Sequence, residues 1–239
     1  MDLRNKVAVV TGGSSGIGQS ICRALVNEGC KVIFTYNSGE AGAKETIKIT
    51  GGVAQEYKVD LNDNSGVEKF FSSIHKLDIL INNAGIDVAP EDQFDMKAWR
   101  KTFEADLFWA VKCTGSAVPL MKAGGKILNI SSEYADEWMG YPDDIAYSAA
   151  KAAINSLTRT LAKKLAPKIS VNAISPGYVN TPMWKVTTDA EKKVLGRDQL
   201  IGRFIRPEEI AQMAIAILEN DAMTGEVVVV DGGLSLKTV

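Results

Sequence analysis

Val7-Ala8-Val9-Val10-Thr11-Gly12-Gly13-Ser14-Ser15-Gly16-Ile17-Gly18 is the stretch that decides the fold. Its first four residues are a short apolar, β-branched run, which predicts a buried strand. Ile21, Ala24 and Leu25 follow at helical spacing. Strand, glycine-rich turn and helix therefore succeed one another. Glycines there permit a tight turn and let the backbone approach a pyrophosphate, which the helix N-terminus stabilises. An ordinary βα turn generous in glycine would read the same, so the rest of the chain must decide.

Working outward, apolar runs at Lys31 to Thr35, Ala54 to Val59, Leu77 to Ile81, Lys126 to Ile130, Ile169 to Ile174 and Glu226 to Val230 predict further strands. Helices are predicted between them, at Ala41 to Ile49, around Val67 to Ile74, from Trp99 to Met121, from Ala146 to Ala166 and from Pro207. Gly124-Gly125 is read as the stop of the Trp99 helix, and Ser175-Pro176-Gly177 as a break in the sixth strand. Regular alternation implies an α/β fold: a doubly wound, parallel seven-stranded sheet with helices on both faces. Residues that follow the strands, such as Tyr36-Asn37-Ser38, Asp60-Leu61, Asn82-Asn83-Ala84-Gly85 and Ser131-Ser132, would gather at the carboxyl edge of the sheet. Open α/β sheets bind their ligands there.

No linker, repeat or charge block divides the 239 residues, so 1–239 reads as a single domain. A formal net charge of −2 with mixed signs leaves no footprint for nucleic acid. No apolar run is long enough for a bilayer, and no signal-peptide pattern follows Met1, so a cytoplasmic protein without membrane contact is expected. Cys22, Cys30 and Cys113 are scattered without metal spacing and read as reduced thiols, so no metal is expected. The only histidine, His75, lies in a polar stretch and reads as surface. A kinase or hydrolase reading lacks both a lysine after the glycines and a Gly-x-Ser-x-Gly elbow.

Tyr147-Ser148-Ala149-Ala150-Lys151 opens the Ala-rich helix. Positions four apart lie one above the other, which puts the Lys151 ammonium beside the Tyr147 phenol. A neighbouring positive charge favours the phenolate, whose pKa is otherwise about 10. A tyrosine so tuned is usable as a general acid or base near neutral pH.

With these residues in place the chain resembles the short-chain dehydrogenase/reductase family over essentially its whole length. The resemblance rests on Thr11…Gly12…Gly16…Gly18, Asn82-Asn83-Ala84-Gly85, Ser132 with Tyr147 and Lys151, and Pro176-Gly177, in the family's order. Asp231-Gly232-Gly233 and the lid length look most like its 3-oxoacyl-carrier-protein reductase branch. The resemblance implies a Rossmann fold and an NAD(P)-dependent oxidoreductase acting on a carbonyl or alcohol. It implies that Gly12, Gly16, Ile17 and Gly18 pack on the cofactor pyrophosphate, with Ser14 and Ser15 beside them. Asp60 and Leu61 would meet the adenine, Asn83, Ala84 and Gly85 the ribose region, and Pro176, Gly177, Val179 and Thr181 the nicotinamide side. Ser132 would donate to the substrate carbonyl, Tyr147 would pass the proton, and Lys151 would also bind ribose hydroxyls. Ser131 is the rival to Ser132.

At the end of the second strand, Tyr36, Asn37 and Ser38 replace the carboxylate that would repel a 2′-phosphate. The reading leans to NADP and leaves NAD open, since no Arg or Lys stands there either.

Two departures from the family stand out. The serine-to-tyrosine loop 133–146 is longer than usual and carries Glu133, Asp136, Glu137, Asp143 and Asp144, expected to flank the substrate mouth and repel an acidic carrier protein. Asp106 stands where the family has an asparagine that fixes a helix kink beneath the site, and an ionised Asp cannot donate a hydrogen bond. Asp106 is also the support for an alternative, a dinucleotide-binding sensor or scaffold with weakened turnover. Trp138, Tyr141, Met183 and Trp184 suggest an apolar or aromatic pocket, and 183–206 a lid. Ala149, Ala152, Ala153 and Ser156 would let another helix approach closely, and the resemblance implies a homotetramer.

Overall fold

The computed structural model describes residues 1–86, 88, 90, 92–135, 139–184 and 187–236. Seven strands form one parallel sheet: β1 Val7–Val10, β2 Lys31–Tyr36, β3 Gln55–Lys58, β4 Leu77–Asn82, β5 Met121–Ile130, β6 Ile169–Pro176 and β7 Val227–Val230, in the order β3-β2-β1-β4-β5-β6-β7. Strand order reverses between β1 and β4, and a ligand crevice opens at such a point.

Successive strand residues point to opposite faces, and both faces are apolar. Ala8, Val10, Ile79, Ile81 and Leu128 share a core with Ile21, Cys22 and Leu25 of α1 (Gly16–Asn27), Ala43 of α2 (Glu40–Ile49), and residues of a C-terminal helix, Pro207–Glu219. Val9, Leu80, Ile127 and Val171 pack on the other side with Val67, Phe70 and Phe71 of α3 (Asn64–Ser72) and with Cys113 and Ala117. All three thiols are buried and free, and burial pushes Cys30 up to about 11 and Cys113 up to about 12.

The helix expected from Trp99 to Met121 is instead composite. It comprises α4 (Met96–Phe103), a π-helical turn (Glu104–Phe108), α5 (Trp109–Ala117) and a 3-10 turn (Val118–Leu120). It ends before Gly124-Gly125, because Met121 is already paired with Leu77 in the sheet. The next pair is Ile79 with Lys126, so the intervening residues of β5 loop out of register as a bulge. Nor does Ser175-Pro176 break β6: both residues pair with β7, and the amide of Gly177 donates to Val230 O at 3.1 Å. A proline at the last position of a strand removes little from the ladder. The sequence continues through α6 (Ile145–Leu165), α7 (Asp189–Leu195) and α8 (Pro207–Glu219).

Candidate active site

The turn after β1 is built by leaving side chains out. Gly12 has φ +67°, and a Cβ there would meet Ala84 Cα at 3.0 Å. At Gly13 it would lie 2.5 Å from Phe34 Cβ, and at Gly18 it would overlap the Asn83 amide and the Gly12 carbonyl. Hydrogen bonds then stitch this turn to the end of β4. Asn83 Nδ2 donates to Thr11 O (2.9 Å) and Gly12 O (3.1 Å), while Thr11 Oγ1 accepts from the amides of Asn83 and Ala84, both at 3.0 Å. The Asn83 side chain therefore braces the turn, which leaves its backbone as the part that can meet a ligand. Ser15 caps α1 without a side-chain cap bond, so the serine hydroxyl does not fill the helix start. These residues fit a dinucleotide: a glycine cradle and a helix N-terminus suit a pyrophosphate.

Gly16, at φ +53°, brings Thr181 to within van der Waals contact of the turn; a Cβ there would lie 3.0 Å from Thr181 Cγ2. Pro176, Gly177 and Val179 thus run from β6 toward the glycines. Gly177 packs tightly on Gln199 and Asp231, and Val179 bridges Ile205. Ile17 packs on the first core, and Ser14 lies against the start of α2 at Gly39 and Gly42. Tyr36 is buried, while Asn37 and Ser38 are exposed beside it. Lys58 is the register partner of Tyr36 on β3. Burial raises the Tyr36 phenol, and Glu56 and Glu40 add to the rise. Asp60 turns the chain by accepting from Asn62, and Leu61 is buried.

On the other side of the switch point lie Ser132, Tyr147 and Lys151. Asp144 caps α6, its carboxylate accepting from the Tyr147 amide at 3.3 Å. Lys151 is 5% exposed, with Nζ 5.4 Å from the centre of the Tyr147 ring. Its ammonium also donates to Ile130 O and pairs with Asp106, both at 3.2 Å. Asp106, 3% exposed, is placed by the π-helical turn, and the backbone of Gly85 lies against its carboxylate. The Lys151 charge is therefore shared between tyrosine and aspartate rather than given to the phenol alone. A buried chain behind the site locks the helices to the sheet: Asn82 Nδ2 donates to Thr114 Oγ1 and Asn129 Oδ1, Asn129 Nδ2 to Thr158 Oγ1.

The two serines part company here. Ser131 Oγ donates to Lys151 O at 3.3 Å and braces α6, whereas Ser132 Oγ donates to Glu133 Oε2 at 3.0 Å. Glu133 is only 2% exposed, and Asp144 is buried as the helix cap, so neither carboxylate flanks the mouth as the sequence suggested. Asp143 is exposed. Asp136, Glu137 and Trp138 lie outside the described residues.

Tyr134, Tyr178 and Phe204, which sequence reasoning missed, join Tyr141 and Trp184 in walling the same region. Tyr134 stacks on Tyr141 with centroids 4.7 Å apart and stands edge-on to Tyr147 at 6.4 Å. Its hydroxyl bonds that of Tyr178 at 3.3 Å, and Tyr178, Trp184 and Phe204 pack within 5.1–5.7 Å of one another. Burial pushes the Tyr134 and Tyr178 phenols upward; their shared hydrogen bond adds to the rise at Tyr134, the donor, and opposes it at Tyr178, the acceptor, and the net direction keeps both neutral. Their signal was present as aromatic residues following two strand ends, without a spacing that links them. The segment expected as a polar lid is part open and part anchored. Met183 is exposed, whereas Gln199 is buried, accepts from the Tyr178 amide and donates to Arg203 O.

Among the described residues no three His, Cys, Asp or Glu side chains gather as a metal site, and no helix is long and apolar enough to cross a membrane. The family model described as enoyl-(acyl carrier protein) reductase matches residues 12–235. The chain belongs to the short-chain dehydrogenase/reductase family and is an oxidoreductase. It is 36% identical to the cis-4-hydroxycyclohexanecarboxylate dehydrogenase of Sinomonas cyclohexanicum, over 95% of this chain and 96% of that one. To the 3-oxoacyl-[acyl-carrier-protein] reductase FabG of Aquifex aeolicus it is 34% identical, over 97% and 98%. The Pseudomonas aeruginosa RhlG/NADP active-site complex superposes with a TM-score of 0.89 at 30% identity, covering 98% of each chain. The 3-oxoacyl reductase branch is thus among the relatives, and other oxidoreductases of the family are equally similar.

Proposed function

We propose that this chain transfers hydride between NADP(H) and the carbonyl or alcohol carbon of an apolar, ring-bearing small molecule. The observation that carries the reading is the position of Gly85. The residues just before it are stitched to the glycine turn, and a Cβ on it would lie 3.6 Å from Lys151 Nζ. Cofactor cradle and catalytic helix therefore meet at one point. When bound, the reduced nicotinamide supplies two electrons as hydride to the carbonyl carbon. Tyr147 gives the carbonyl oxygen its proton, Ser132 hydrogen-bonds that oxygen, and Lys151 steadies the charge left on the phenol. Asp106 holds Lys151 in place. Gly12, Ser14, Ser15, Gly16, Ile17 and Gly18 would hold the pyrophosphate, and Pro176 to Thr181 would lie on the nicotinamide side.

NADP is favoured by the neutral donors Asn37 and Ser38 and by Lys58 opposite Tyr36; Glu40 and Glu56 act against it. Titrating NADPH and NADH while following fluorescence of the reduced ring separates the two, and Tyr36→Asp should weaken NADPH binding more than NADH. For the substrate, the aromatic wall beside Tyr147 supports an apolar ring, and the 4-hydroxycyclohexanecarboxylate relative is of that kind. A homo-oligomer is supported by the exposed Ala152 and Ser156 on α6 and by Phe108 and Val111, each 45% exposed nearby; light scattering tests the expected tetramer. Tyr147→Phe is the decisive experiment. Turnover of any accepted ketone should fall by roughly a hundred- to ten-thousand-fold with cofactor binding retained. Unchanged NADPH consumption would sink the proposal.

A further inference from the structure

We propose that Glu133 is a positioning residue: it sets the direction in which the Ser132 hydroxyl presents its proton, and turnover requires its carboxyl to be protonated. The inference rests on the hydride-transfer reading above, in which Ser132 must donate to the substrate oxygen. A serine hydroxyl has one proton and two lone pairs. Here the Tyr134 amide donates to Ser132 Oγ at 3.3 Å, and Ser132 Oγ stands 3.0 Å from Glu133 Oε2. An ionised carboxylate takes the serine proton into a charge-assisted bond. The serine then offers only a lone pair to a ketone, whose oxygen is itself an acceptor.

When Glu133 carries a proton the same oxygens can reverse their bond. The carboxyl O–H donates to Ser132 Oγ, and the serine O–H turns to the carbonyl oxygen. No atom moves by more than a hydroxyl rotation, because the oxygen-to-oxygen distance serves both directions. The developing alkoxide then has two donors, Ser132 and Tyr147. An ionised Glu133 would leave it one.

The ionisable groups around this carboxyl come from several elements. Tyr134 is on its own turn, Asp144 caps α6, and Tyr147 and Lys151 are on α6, which packs against that turn. Tyr178 follows β6, Tyr141 stacks on Tyr134, Asp198 lies in the segment that reaches Tyr178, and Asp106 is paired with Lys151.

The test is the pH profile of kcat/KM for ketone reduction at saturating NADPH, in wild type, Glu133→Gln and Ser132→Ala. A glutamine amide donates to Ser132 Oγ at every pH, so the limb that Glu133 contributes should vanish. The ratio of Glu133→Gln to wild type should then rise with pH, approaching about tenfold per pH unit above the ionisation of Glu133, the effect of one uncompensated ionisation. Ser132→Ala, though slow, should lose the same limb, since Glu133 acts only through that hydroxyl. A flat Glu133→Gln to wild-type ratio overturns the proposal. So does a Ser132→Ala to wild-type ratio that stays flat with pH, since the limb from Tyr147 cancels in that ratio, and that arm stands even where the glutamine variant fails to fold. Tyr147→Phe run in parallel tells the two readings apart. An active Tyr147→Phe removes the hydride-transfer reading itself, whereas an inactive one with a flat Glu133→Gln ratio removes only the role of Glu133.

Discussion

On one side of the switch between β1 and β4 the chain makes room by omission. Glycines at positions 12, 13 and 18 keep Cβ atoms out of a space already filled by Ala84, Phe34 and Asn83, and neutral hydrogen bonds from Thr11 and Asn83 hold the shape. On the other side the chain fills the interior with ionisable groups: Asp106 against Lys151, Glu133 against Ser132, and Tyr147 among tyrosines. The first arrangement has one state at any pH. The second has states that differ by a proton, which suits it to chemistry and makes it the costlier to disturb.

The largest expected disturbance is therefore on the charged side. Asp106→Ala leaves the Lys151 ammonium buried without its carboxylate and should cost about 3–5 kcal/mol in urea unfolding. Asp106→Asn, which keeps the shape and can still accept, should cost distinctly less. Equal and small losses for both would mean that the pair is not what holds Lys151. Next comes the glycine side. Gly12→Ala should cost about 1–2 kcal/mol for a non-glycine residue at positive φ, and more where Ala84 cannot give way. Gly51→Ala, at φ +63° with nothing within 4 Å, isolates the backbone term. If the two glycine variants lose the same stability and only the first loses NADPH affinity, crowding acts on the cradle alone. Both losing affinity equally would break the comparison.

The smallest effect belongs to a surface charge outside both regions. Hydrogen bonding from Arg203, then from the Arg206 amide, holds the Glu209 carboxyl at about 2 against an ordinary 4.5. A lowered folded pKa stabilises above the unfolded value and ceases to do so as pH falls through the folded one. Wild type should thus exceed Glu209→Gln by no more than about 1 kcal/mol above pH 4.5, with the gap closing toward pH 2, since the pair is solvent-screened. A gap that widens in acid would contradict the assignment.

The contrast between the two sides also explains what could be read from the sequence. Strand periodicity and glycine placement are local, so β1 with its turn was legible, as was the chain order of the strands. Tyr147 and Lys151 could be paired because helical spacing relates them. The partner that actually meets Lys151 could not: Asp106 lies on another helix, and its position depends on a π-helical turn that leaves the apolar spacing from Trp99 onward looking continuous. Glu133 misled for a related reason. Within a run of carboxylates it reads as solvated, and only the 3-10 turn that follows β5 directs it inward. Pro176 misled too, because a proline reads as a break until the strand beside it is known.

The bulge in β5 has a practical use. Lys122, Ala123 and Gly124 are exposed at the opposite rim of the sheet from Ser132, and Gly124 at φ +86° has nothing within 4 Å. A reporter peptide or affinity tag threaded between these residues would hang in solvent and leave the rim beside Ser132 unobstructed.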